Sequence, residues 1–127
     1  MKRAIVTIVA WIASCAGLHA NEPNRQLLAL SEQAKHEALS SHVRQSGENC
    51  DAVVGSMLRH GVASEPAFWN VGCHNQKTYW VIISPDPGHR PLVLDCESSK
   101  DFDRMLADMV RRAGQQPGST LECWKKF

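Results

Sequence analysis

Cys50, Cys73, Cys96 and Cys123 stand 23, 23 and 27 residues apart, and no other feature of the sequence restricts its folds so tightly. No two are close enough to form the Cys-x-x-Cys unit of a structural zinc site or a dithiol redox centre, so neither a metal nor a cofactor is expected. In a chain that reaches an oxidising compartment, an even set at such spacing reads as two disulfides. Each bridge closes a loop of about two dozen residues and contributes about 3 to 4 kcal/mol in the chain-entropy account. That is a large share of a total stability of about 5 to 15 kcal/mol.

The N-terminus supplies the address. Met1, Lys2 and Arg3 give a cationic start, and Ala4 to Ala13 follow as an uncharged, mostly apolar run. This is the layout of a secretory signal, and the run is well short of the roughly 20 residues of a membrane-spanning helix. Residues 1–20 are therefore expected to be a signal peptide cut after Leu18-His19-Ala20. The alternative is a lipoprotein signal over 1–14, because Ile12-Ala13-Ser14-Cys15 resembles a lipobox with Cys15 as the lipidated residue. The first route gives a periplasmic or secreted protein, the second a protein with a lipid anchor. Either way, the fifth cysteine leaves the thiol count. A formal charge of +1 provides no basic footprint for nucleic acid.

Residues 21–47 read as a polar leader, Asn21 to Arg25, and one helix over Gln26 to Val43 with Leu27, Leu30, Ala34 and Ala38 on its apolar side. Residues 48–127 read as the disulfide-bonded domain. Cys50, Val53, Val54, Met57 and Leu58 fall at helical spacing before Gly61, which predicts a second helix. From Ala67 the period changes to two. Ala67 to Cys73, Thr78 to Ser84 and Pro91 to Cys96 are short runs separated by turn residues, and predict a three-stranded antiparallel meander. Ser98 with Asp101 then opens a helix whose stripe is Phe102, Met105, Leu106, Met109, Val110 and Ala113, ending at Gly114. Leu121, Cys123 and Trp124 close the chain. The expected fold is α+β, a three-stranded meander packed by two to three amphipathic helices.

Alternation places Trp69, Val71 and Cys73 on one face with Tyr79, Val81, Ile83, Leu92, Leu94 and Cys96. The first and third strands of a meander lie about 9 to 10 Å apart, beyond bridging distance, which disfavours Cys73 with Cys96. Short connections bring Cys50 to the sheet end that carries Cys73. The pairing Cys50–Cys73 with Cys96–Cys123 is expected first, and Cys50–Cys96 with Cys73–Cys123 second.

Chemistry is hard to place on this chain. His36 and His42 fall on different sides of a helix and His60, His74 and His89 in separate turns, so no ligand spacing exists within an element. There is no Gly-x-Ser-x-Gly, and the paired carboxylates Asp101 and Asp103 lie on the polar side of a helix. No catalytic residue is assigned, and a non-enzymatic protein is expected. Only a convergence of His60, His74 or His89 with a carboxylate in a pocket would revive an enzyme. The opposite face of the sheet is more telling, since Phe68, Trp80, Ile82 and Val93 project away from the cysteine-bearing face. A second helix layer can cover that cluster. Left open, it would be a patch for a partner, with His89 and Arg90 in the neighbouring loop; an open sheet edge is a third way to bind.

The runs Trp69-Asn70-Val71-Gly72-Cys73, Tyr79-Trp80-Val81 and Val93-Leu94-Asp95-Cys96 resemble a pattern in small exported bacterial proteins over residues 48–127. The resemblance implies an exported, disulfide-bonded α+β domain and carries no activity with it. The helix-then-meander outline is also similar to PepSY-type domains, some of which inhibit proteases, although the residues diagnostic of that family are not found. The expected role is binding of a protein or envelope component, with no nucleic acid and no transmembrane span. The alternative is an inhibitor or immunity protein that inserts Pro85 to Arg90 into an exported hydrolase.

Overall fold

Asn21 anchors the first helix to the sheet. In the structure, a computed structural model that describes residues 21–61, 65–112, 123 and 127, its side-chain oxygen accepts from Asn24 N at 3.1 Å and caps α1 (Glu22–Leu28). Its amide nitrogen donates to the carbonyls of Ile83 at 2.8 Å and Glu65 at 3.1 Å, and the residue is 5% exposed. The stretch expected to be a loose leader is thus a docked helix. Ser31 starts a separate helix, α2 (Glu32–Gln45), by accepting from Ala34 N at 3.2 Å. The single helix expected over 26–43 is therefore broken at Ala29 to Ser31, because a serine cap with helical residues after it nucleates a new start. Gly47, at φ +92°, takes the left-handed conformation that ends α2.

The larger correction follows. Residues expected to be a second helix form a strand, β1 (Val53–His60), and among the described residues the sheet has four strands rather than three. With β2 (Ala67–Cys73), β3 (Thr78–Ile83) and β4 (Leu92–Asp95), it is an antiparallel meander in the order β1-β2-β3-β4. The register slips between Val53 and Gly55 and again between Leu58 and His60. Those irregularities remove the two-residue period that a strand ordinarily shows. The last helix, α3 (Lys100–Arg112), starts after Ser99, whose carbonyl accepts from Asp103 N at 3.0 Å.

The sheet separates two cores. On its front, Leu27 of α1 and Leu39 and Val43 of α2 pack on Trp69, Val71, Tyr79, Val81 and Ile83. On its rear, Phe102 and Leu106 of α3 pack with Phe68, Trp80, Ile82 and Leu94. The phase of β4 differs from expectation: Val81 pairs with Val93 and Trp80 with Leu94, so Val93 faces front while Leu92 and Leu94 face the rear. Alternation fixes which residues of one strand share a face, but the connection over 84–91 sets the phase of the next.

Each core holds one disulfide. Cys50–Cys73, with Cα atoms 5.4 Å apart, lies in the front cluster, and Cys96–Cys123, at 5.5 Å, in the rear. The first of the two expected pairings is the one present. Its reason is sharper than helix placement, since Cys50 leads into β1, where Val53 stands opposite Cys73. The exchanged pairing would have to join cysteines buried on opposite sides of the sheet. The address segment 1–20 with Cys15, the close at Leu121 and Trp124, Ala113 and Gly114, and the side chains of Met109 and Val110 lie outside the described residues.

Candidate functional site

The rear face was the expected binding patch, and α3 covers it. Phe68 is 6% exposed and Trp80 fully buried, Ile82 is half-buried beside them, and Val93 is on the other face. The Phe102 ring centre lies 6.1 Å from that of Phe68 and 6.0 Å from that of Trp80, the latter edge-on. These residues are core, because the strong apolar stripe of α3 and the rear of the sheet bury each other.

Polar groups fix how α3 sits. Trp80 Nε1 donates to Asp103 Oδ1 at 2.8 Å, and Cys123 N donates to Asp103 Oδ2 at 3.4 Å. Buried Asn70 donates through Nδ2 to Cys123 Sγ at 3.1 Å and accepts from the Arg59 guanidinium, which also lies over the Trp80 ring at 5.9 Å. Burial lowers the Arg59 pKa from its usual value, while the Asp103 carboxylate opposes that shift. Every group named here has a polar partner, as a buried network requires. The network ties β1, β2, β3, α3 and the second disulfide together.

His89 and Arg90, the other two expected binding residues, are exposed in the β3–β4 loop. Asp86 organises that loop: its Oδ1 accepts from Gly88 N at 2.9 Å, its carbonyl accepts from His89 N at 3.1 Å, and its own N donates to Ser84 Oγ at 3.1 Å. His89 Nε2 lies 3.7 Å from Asp86 Oδ2. At the same end of the sheet, His60 Nε2 lies 3.4 Å from Glu65 Oε2. His74, in the β2–β3 turn, is at the opposite end, so the three loop histidines do not converge. Among the described residues, no cluster of three or more His, Cys, Asp or Glu is arranged to hold a metal ion.

The surface the sequence did not reveal is the edge at β1. Among the described residues no strand pairs with its outer side, and Val54 and Met57 are 51% and 41% exposed. Behind this edge, Gly55 and Gly72 stand opposite each other on the rear face. The Phe127 ring lies across the pair, so close that a Cβ built on either glycine would meet it at 2.4 Å. An aromatic ring laid over strand glycines replaces the contacts that their missing side chains cannot make. An open hollow of about 490 Å³ continues from this ring past Val54, His74, Gln76 and Thr78. Gly72, inside an otherwise apolar strand, was the readable sign, since a strand-interior glycine marks close approach by another group. Gly55 was hidden by the helical reading of its segment.

Among the described residues, no helix is long and apolar enough to cross a membrane. Compared with known proteins, the chain matches no family model, no curated protein and no solved structure.

Proposed function

We propose that this chain is an exported, non-enzymatic module that binds a protein partner of the cell envelope by adding the partner's strand to the open edge of β1. The observation that carries the reading is that edge, with Val54 and Met57 exposed and the hollow beside Val54. Strand addition draws affinity from main-chain hydrogen bonds and specificity from pockets for alternate side chains. Export is supported by the signal-like residues 1–20 and by two disulfides, which persist in oxidising compartments. Cleavage before Asn21 gives the free form and acylation of Cys15 the anchored one. Intact mass of the mature chain separates them.

A second reading is supported by the loop from Pro85 to Arg90. Its Asp86-centred hydrogen bonds are internal, so it is held in shape before any contact, as an inhibitory loop aimed at an exported hydrolase would be. Photo-crosslinking amino acids placed at Val54, Met57 and His89 in the living cell distinguish the two. Adducts from Val54 and Met57 alone favour the edge. Adducts from His89 alone favour the loop and overturn the edge reading.

A further inference from the structure

The regular part of β1 is short. Its register breaks leave only Gly55 to Leu58 in continuous pairing, so an added strand would gain few main-chain hydrogen bonds. Such a strand needs a side-chain anchor, and the residue facing Gly55 across the new pair would project onto the rear side, where Gly55 and Gly72 leave bare backbone.

We propose that the shelf made by Gly55 and Gly72 is a receptor for an aromatic side chain on a partner's extended strand, with Phe127 holding that place in the free protein. The inference rests on the β1-edge reading above and names the chemistry of its partner. The geometry is that of an occupied site. The Phe127 ring already shows that a planar ring fits, with Cδ1 against Gly55 and Cδ2 against Gly72, while the residue itself remains 45% exposed. Cys123, four residues earlier, is bridged to Cys96, so the ring is tethered at high local concentration and competes with any incoming aromatic. The hollow gives the displaced or arriving ring room, with the polar side chains of Thr78, His74 and Gln76 at its margin.

The test titrates isotope-labelled, oxidised protein with the peptide acetyl-Thr-Val-Phe-Val-Thr-amide and with the same peptide carrying Ala for Phe, followed by amide NMR. Phe127→Ala is expected to tighten the Phe peptide about tenfold, the gain that vacating the site would bring were Phe127 to fill it about nine-tenths of the time. Shifts should fall at Gly55 and Gly72, and adding Gly72→Val to Phe127→Ala should abolish the gain. Equal binding of the Phe and Ala peptides at β1 overturns the aromatic shelf and leaves the edge reading standing. Shifts that avoid β1 with both peptides overturn the two together. If Phe127→Ala folds poorly, Phe127→Leu should show a smaller gain, and in the unaltered protein the Phe peptide should move the Phe127 ring resonances; their remaining fixed while the peptide binds overturns the proposal.

Discussion

Asn24 accepts the indole N–H of Trp69 at 2.7 Å, with both residues buried. Asn24→Ala removes the acceptor and leaves a buried donor unpaired, which costs about 1 to 3 kcal/mol. Urea unfolding with an unchanged m-value and a lower midpoint is the expected result. His42 behaves differently because its defect is one of charge. Its Nδ1 is buried with no hydrogen-bond partner among the described residues, and burial holds the imidazole below its ordinary pKa of 6.5. The unfolded chain therefore takes up the proton first. This contribution to stability is complete above about pH 6.5 and is lost as the pH falls from there through the folded-state pKa. Unfolding midpoints measured from pH 7.5 to 5 should decline, and His42→Gln should flatten that decline. Neither behaviour was legible in the sequence. Asn24 and Trp69 are 45 positions apart, and His42 looked like one more polar residue on a helix.

Among the elements, β2 matches its expected bounds, while β3 is shorter than expected by one residue at its end and β4 by one residue at each end. Their aromatic and β-branched residues lie between strong turn signals, and buried two-sided strands suit such composition. The β1 segment misled because Val53, Val54, Met57 and Leu58 satisfy helical spacing. In the sheet, Val53 and Leu58 pack on the front core while Val54 and Met57 are exposed, a pattern produced by the register slips and by no simple period. The adjacent valines and Gly55 are poor helix material, and that propensity was the better guide. For α3, the expected stripe holds at Phe102 and Leu106, which pack with Trp80 and Phe68, and fails at Met105, which is half-exposed. Leu106→Ala should cost about 2 to 5 kcal/mol and Met105→Ala about 0.5 kcal/mol or less. Comparable losses for both in thermal or urea unfolding would mean that α3 is turned differently on the sheet.

At the scale of the whole molecule, the α+β class and both disulfide pairs were legible, but the candidate site was not. The expected patch of Phe68, Trp80 and Ile82 became the rear core, since a sheet with helices on both sides hides its two apolar faces and leaves its edges. Apolar content alone cannot distinguish a face waiting for a helix from one waiting for a partner. The bridges are the next quantity to measure. Replacing Cys96 and Cys123 together by Ala frees a loop spanning 27 residues and should lower stability by about 3 to 4 kcal/mol, read from the denaturant midpoint. The same exchange at Cys50 and Cys73, whose separation is 23, should cost a similar amount. Since each sulfur pair sits on its own side of the sheet, a reductant would undo this protein like a book with two clasps. Opening the rear clasp slips the tie on Phe127, while α3 stays pressed to the page by Phe102, Leu106 and Asp103.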